Sequence, residues 1–177
     1  KQDEDVFDKI MLPNDDTEYD YAQGYENFIR KLLTYFPDEE KALREYCDKI
    51  KYICSRFPLY NLQPSDEADT KASVLEYDTK AFIDSITENP KLREVLGGNN
   101  GLYAGEANKT PLYVHALILN SYIESSYKCV DGGSQIAKFL SRNIHQLGGE
   151  IIKHAEVKKI VELGGMVTHV ELADGRK

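Results

Sequence analysis

The sequence has no tryptophan, two methionines, three cysteines and six prolines in 177 residues. Three cysteines exclude a fully paired disulfide framework, and none stands in a CxxC pair. Cys47 and Cys54 are seven apart, on one face of a helix, which predicts buried thiols in a reducing, cytoplasmic setting. Positive charge is also short. Lys and Arg number 22 against 30 Asp and Glu, a net charge of −8, so a phosphate backbone is repelled and nucleic acid is excluded as a partner. No apolar run approaches the ~20 residues of a membrane-spanning helix. The best, 111–123, is interrupted by His115, Asn120 and Ser121. His115, His145, His154 and His169 never stand four apart, and none adjoins a cysteine, so no metal site is expected. There is no GxSxG nucleophile turn and no GxGxxG phosphate turn, so no catalytic set is assigned.

What is present predicts an α+β fold. Residues 6–12 read as a strand, 13–16 as a turn and 17–21 as the return strand of a hairpin. Tyr25, Phe28, Ile29, Leu32 and Leu33 recur at helical spacing, which predicts a helix over 23–35. Pro37 followed by three acids opens a second helix running to about residue 57. A loop over 58–71 leads to short helices at 79–87 and 90–96. Thr110-Pro111 reads as an N-cap followed by proline at the first helical position, opening a helix to about residue 126, apolar on most sides. A last helix lies between Gly132-Gly133 and Gly148-Gly149, the second pair giving a left-handed stop. Gly164-Gly165 is a two-residue hairpin turn. Pairing around it sets Leu163 against Met166, Val161 against Thr168, Lys159 against Val170 and Val157 against Leu172. That register gathers most apolar residues on one face.

Several residues invite a functional reading beside a plainer one. His115, with Leu119 and Tyr122 on the same side of its helix, is either a hydrogen-bonded core histidine or a polar group lining a substrate pocket. Gly97-Gly98-Asn99-Asn100-Gly101 reads as a helix C-cap. Gly132-Gly133 is either a tight turn with Ser134 as N-cap or a helix start that lets another group approach closely. The twelve tyrosines read mainly as half-buried packing residues with outward hydroxyls, or alternatively as the wall of a lipophilic channel. Residues 1–30 carry nine acids against three bases, and the acidic patch of residues 1–20 predicts a solvated face.

From Asp131 onward the residues resemble a known family. Asp131-Gly132-Gly133-Ser134-Gln135-Ile136-Ala137, Leu147-Gly148-Gly149-Glu150-Ile151-Ile152, Ala155-Glu156-Val157-Lys158-Lys159-Ile160, Met166-Val167-Thr168-His169-Val170 and Asp174-Gly175 are similar to the middle of FAD-dependent oxidoreductases of the phytoene desaturase and retinol saturase-like type. Asn89-Pro90-Lys91-Leu92-Arg93-Glu94-Val95-Leu96 and the stretch Tyr113 through Tyr122 look similar to the retinol saturase-like branch. Phe7-Asp8-Lys9-Ile10 and Phe36-Pro37 fit the start of its substrate lobe.

The resemblance implies an internal segment of a larger flavoenzyme. Residues 1–128 would form a mostly helical substrate lobe with an N-terminal hairpin. Residues 129–177 would return as a helix and hairpin to the FAD-binding domain. Val157 would meet FAD through its backbone, and Gly132 and Gly133 would face the flavin side. Asp131 departs from the basic or neutral residue common there, which weakens phosphate binding at that turn. The substrate would be a lipophilic polyene or retinoid reacting at a carbon–carbon bond. Partners would be the N- and C-terminal parts of the same enzyme. The absence of an initial Met and the turn-like 174–177 agree with an excised piece. The segment alone is expected to be inactive, to hold FAD weakly and to self-associate, the whole protein residing in the cytoplasm or at a membrane surface. Two other readings stay open: a cofactor-free helical interaction or oligomerisation module, and a piece of an amine-oxidase-like flavoenzyme.

Overall fold

The computed structural model describes residues 5–64 and 74–177. The chain divides into two compact units, Lys1–Lys128 and Cys129–Lys177. Among the described residues the class is α+β, helices with two small antiparallel sheets.

The first unit opens with strands β1 (Val6–Met11) and β2 (Glu18–Ala22), paired antiparallel with Ile10 opposite Tyr19 and Met11 opposite Glu18. Alternation along β2 sends Tyr19 and Tyr21 to the buried face. Helix α1 (Tyr25–Leu33) buries Phe28, Ile29 and Leu32, the predicted stripe. Helix α2 (Glu40–Ser55) buries Leu43, Tyr46, Cys47, Ile50, Ile53 and Cys54 on one side, again as its spacing requires. Both cysteines are buried, and burial pushes both thiols up to about 12.

Helix α3 (Thr79–Ile86) is capped by Asp78, whose side chain accepts from the Ala81 N–H. Helix α4 (Pro90–Leu96) is capped by Asn89 and runs into a 3-10 turn, Gly98–Tyr103. The helix C-cap reading holds at Gly97, which ends α4 with right-handed dihedrals, its N–H donating to Arg93 O, before the chain goes on as the 3-10 turn. Gly98 is there for close approach. A Cβ on it would lie 2.5 Å from Ile10 Cγ2.

Helix α5 (Leu112–Glu124) is the hub of this unit, burying Leu112, His115, Ala116, Leu119, Asn120 and Ile123. The expected Thr110 cap is corrected. Pro111 is itself the N-cap, with ψ of 138°. It is held extended by a bridge to Asp78, and the Leu112 N–H donates to Tyr77 O at 2.7 Å.

The second unit holds α6 (Ser134–Gln146) and the hairpin β3 (Val157–Leu163) and β4 (Met166–Leu172). Ser134 is the first helical residue of α6, not its cap; Gly133 occupies that position without a side-chain hydrogen bond. Gly148 has φ +82°, the left-handed stop, and Gly164 and Gly165 at +62° and +82° supply the turn that two positive φ angles require.

The expected register holds at the two ends, Leu163 with Met166 and Val157 with Leu172, and fails between them. Val161 faces His169 instead of Thr168, and Lys159 faces Glu171 instead of Val170. Two irregularities account for this, one between Val161 and Glu162 and one between Val157 and Lys159. Thr168 Oγ1 donates to Val161 O at 3.2 Å at the first of them. Ile160 therefore pairs with Val170, and apolar residues fall on both faces of the hairpin.

Candidate functional site

Polar chemistry in the first unit concentrates around α5. His115 is fully buried, and both of its ring nitrogens meet tyrosine hydroxyls. Nε2 lies 2.6 Å from Tyr46 Oη, carried by α2, and Nδ1 lies 2.7 Å from Tyr103 Oη, carried by the 3-10 turn. Burial lowers the His115 pKa to about 4, so the ring is neutral at physiological pH. A neutral imidazole has one N–H, so it donates to one tyrosine hydroxyl and accepts from the other. Each hydroxyl also has a second acceptor, Leu96 O 3.2 Å from Tyr46 Oη and Asn100 Oδ1 2.7 Å from Tyr103 Oη. The contacts link Tyr46, His115, Tyr103 and Asn100 from the core to an exposed amide.

A second network flanks α5 at Asn120. Its Oδ1 accepts from Tyr25 Oη, and its Nδ2 donates to Tyr60 Oη at 3.0 Å. Tyr60 in turn donates to Leu117 O at 3.0 Å. Tyr21 Oη donates to Val95 O at 2.6 Å. Hydroxyls of Tyr21, Tyr25, Tyr46 and Tyr60 thus turn inward, against the expectation of outward hydroxyls. No sequence spacing signals this, because each bond joins residues 50 or more positions apart.

The acidic face is likewise less free than composition suggests. Asp15 accepts from Tyr19 Oη at 2.8 Å and pairs with Lys91 Nζ at 2.8 Å, which holds its carboxyl well below the usual range.

A cleft of about 670 Å³ opens beside the exposed end of the His115 chain. Leu12, Pro13, Ile83, Pro90 and Ala107 give it apolar walls, and Gly97, Gly98 and Asn100 bring the 3-10 turn to its edge. Its charged residues are Lys80 and Arg93 against Asp84, Glu94 and Glu106. Arg93 is committed, donating through Nε to Thr87 O at 2.7 Å and through a terminal nitrogen to Asp84 O at 3.0 Å. A smaller cleft of about 340 Å³ adjoins it along β1. It is bordered by Asn99, a buried residue whose amide has no hydrogen-bond partner among the described residues.

The residues singled out from sequence divide as follows. His115 and Leu119 are packed in the core, and neither borders the two clefts. Tyr122 is on the surface side of α5, stacked on Phe7 with ring centroids 5.7 Å apart. Gly132 and Gly133 lie in the open; a Cβ on either would meet nothing within 4 Å. Val157 is half exposed at the start of β3. Among the described residues no group of His, Cys, Asp and Glu is arranged to hold a metal, and no helix is long and apolar enough to cross a membrane.

No known family model matches the chain. Among curated proteins it is similar to all-trans-retinol 13,14-reductases. It is 26% identical to that of Danio rerio over 175 residues, covering 89% of this chain and 29% of that protein. Against the Rattus norvegicus protein identity is 24% over 189 residues, covering 97% and 31%. Against the Homo sapiens protein it is 26% over 172 residues, covering 88% and 28%. The chain spans about 30% of the length of the curated relatives it matches. This similarity, consistent across vertebrate species and extended over most of the chain, supports a retinol saturase-like oxidoreductase segment.

Proposed function

We propose that the chain is part of an FAD-dependent oxidoreductase that reduces a carbon–carbon double bond of a retinoid or similar lipophilic polyene. The observation that carries this reading is the similarity to retinol 13,14-reductases over most of the chain. In this account the Lys1–Lys128 unit serves the substrate and the Cys129–Lys177 unit serves the cofactor.

Open backbone in the second unit supports an approach by part of FAD. Gly132 and Gly133 leave open space, and Val157 is half exposed at a strand start, so a broad flat group has room to approach the backbone. A pyrophosphate needs a glycine-rich turn at a helix start, and this sequence has no GxGxxG. When bound and reduced by an electron donor, FAD would supply the hydride for reduction. This chain's part is to exclude water and orient the polyene, using the apolar cleft walls and the fixed amide of Asn100.

The test compares flavin content. The purified 177-residue chain is expected to carry far less than one flavin per chain. The longer polypeptide that joins it to a dinucleotide-binding region is expected to carry one. Stoichiometric flavin on the isolated chain contradicts the division of labour, and none on the longer protein contradicts the flavoenzyme reading.

A further inference from the structure

Strand β1 has one edge on β2, and its other edge pairs with no strand among the described residues. The register decides which backbone groups lie on that outer edge. The Gln23 N–H donates to Asp5 O at 3.2 Å, so Val6 and Ala22 face each other as a non-hydrogen-bonded pair. The one irregularity falls on β1, between Val6 and Asp8, so β2 alternates without a break. Tyr21 and Tyr19 are then hydrogen-bonded to Asp8 and Ile10. Lys9 opposite Asp20 and Met11 opposite Glu18 turn their N–H and C=O away from β2. The Lys9 N–H donates to Asp8 Oδ1 at 2.8 Å, as a group outside the ladder does. The Lys9 C=O and both groups of Met11 have no backbone partner among the described residues.

A groove follows this edge. The 340 Å³ cleft is lined by residues 8–12 in unbroken order and, from the 3-10 turn, by Gly98, Asn99, Gly101 and Leu102. Successive strand residues point to opposite faces, so five in a row share an edge and not a face. They span about 16 Å, the length of a short strand. Met11 at 65% and Leu102 at 53% leave apolar surface open on the two walls. Asn99 is only 4% exposed, and neither Oδ1 nor Nδ2 of its amide has a partner among the described residues. A buried amide left that way is costly, and a peptide unit, with one N–H and one C=O, matches it group for group. The charged residues of the groove are Asp8 and Lys9, and Lys9 is paired with Glu18, so nothing there selects a charged ligand.

We propose that this groove receives a β-strand from another part of the same polypeptide, outside these 177 residues. The strand extends the β1–β2 sheet through Lys9 and Met11, and its main chain pairs with the Asn99 amide. The source of the strand rests on the proposed function: the chain spans about 30% of the length of the retinol 13,14-reductases it matches, and a protein of that length has ample chain to supply it. The free edge and its groove do not rest on that reading.

The experiment follows backbone amide exchange, residue by residue, in the 177-residue chain at low concentration and in the longer protein. In the 177-residue chain the Ile10 amide is expected to exchange slowly and the Met11 amide fast. In the longer protein the Met11 amide is expected to slow by more than about tenfold, equally at low and high protein concentration. Met11→Pro removes an N–H at an edge position that tolerates proline. It is expected to leave the melting temperature of the 177-residue chain nearly unchanged and to lower that of the longer protein by several degrees. Asn99→Leu, which removes the amide, is expected to lower the melting temperature of the longer protein alone. Equal losses in the two proteins overturn the inference. Slow Met11 exchange in the 177-residue chain shows an edge already closed and overturns it too. Protection of Met11 that appears only at high concentration marks a second copy in the groove and likewise overturns it. Fast Met11 exchange in a longer protein that carries flavin overturns the inference and leaves the flavoenzyme reading standing. Concentration-independent protection in a longer protein without flavin supports the inference and removes the flavoenzyme reading.

Discussion

His115 shows what one residue's surroundings do to its chemistry. Burial lowers its pKa to about 4, against about 6.5 in an unfolded chain. Between those values the unfolded state binds the extra proton, so stability is full above about pH 6.5 and falls as pH drops towards 4. The difference corresponds to roughly 3 kcal/mol. Urea denaturation across pH 4–7 is expected to show that loss, and His115→Gln to show a flatter profile. Identical slopes in both proteins would contradict it. A core histidine was legible in the sequence, since His115 sits in the most apolar helix. Its tyrosine partners were not, because α2 and the 3-10 turn meet it only through tertiary packing.

At the level of elements, α1 and α2 followed from apolar spacing, whereas the start of α4 is fixed by the Asn89 cap, whose side chain accepts from the Lys91 and Leu92 N–H groups. The middle of the β3–β4 register was illegible because a bulge inserts one residue without a distinctive signature. The β1 contact with the 3-10 turn was equally silent, yet Gly98 depends on it. Gly98→Ala would drive a Cβ against the buried, β-branched Ile10, which has little rotamer freedom to yield. A loss of about 1–3 kcal/mol in thermal or urea unfolding is expected. Ile10→Ala in the same background is expected to cost less than it does alone, and strict additivity of the two would argue against the contact.

On the scale of the whole molecule the two units differ in kind. Lys1–Lys128 has a continuous core built from β2, α1, α2, α4 and α5. In Cys129–Lys177 no residue is buried, and Ile136, Phe139, Leu140 and Ile144 line α6 exposed. Apolar residues also stand open on both faces of the hairpin. Surface of that kind is stabilised by being covered. The isolated chain is therefore expected to associate with concentration in sedimentation velocity, and Ile136→Glu with Leu140→Lys to suppress this without lowering the melting temperature. A monomer at every concentration would contradict that expectation. The sequence announced the helix and the hairpin of this unit; its lack of a core becomes visible only in three dimensions.

The central claim is that this chain works within an enzyme reducing a retinoid double bond. Its most direct test incubates all-trans-retinol with the longer, flavin-loaded protein under reducing conditions and identifies the product by mass and absorbance. The account predicts a product heavier by one molecule of hydrogen, with its polyene conjugation shortened. Recovery of unchanged retinol, with flavin bound and reduced, would contradict it.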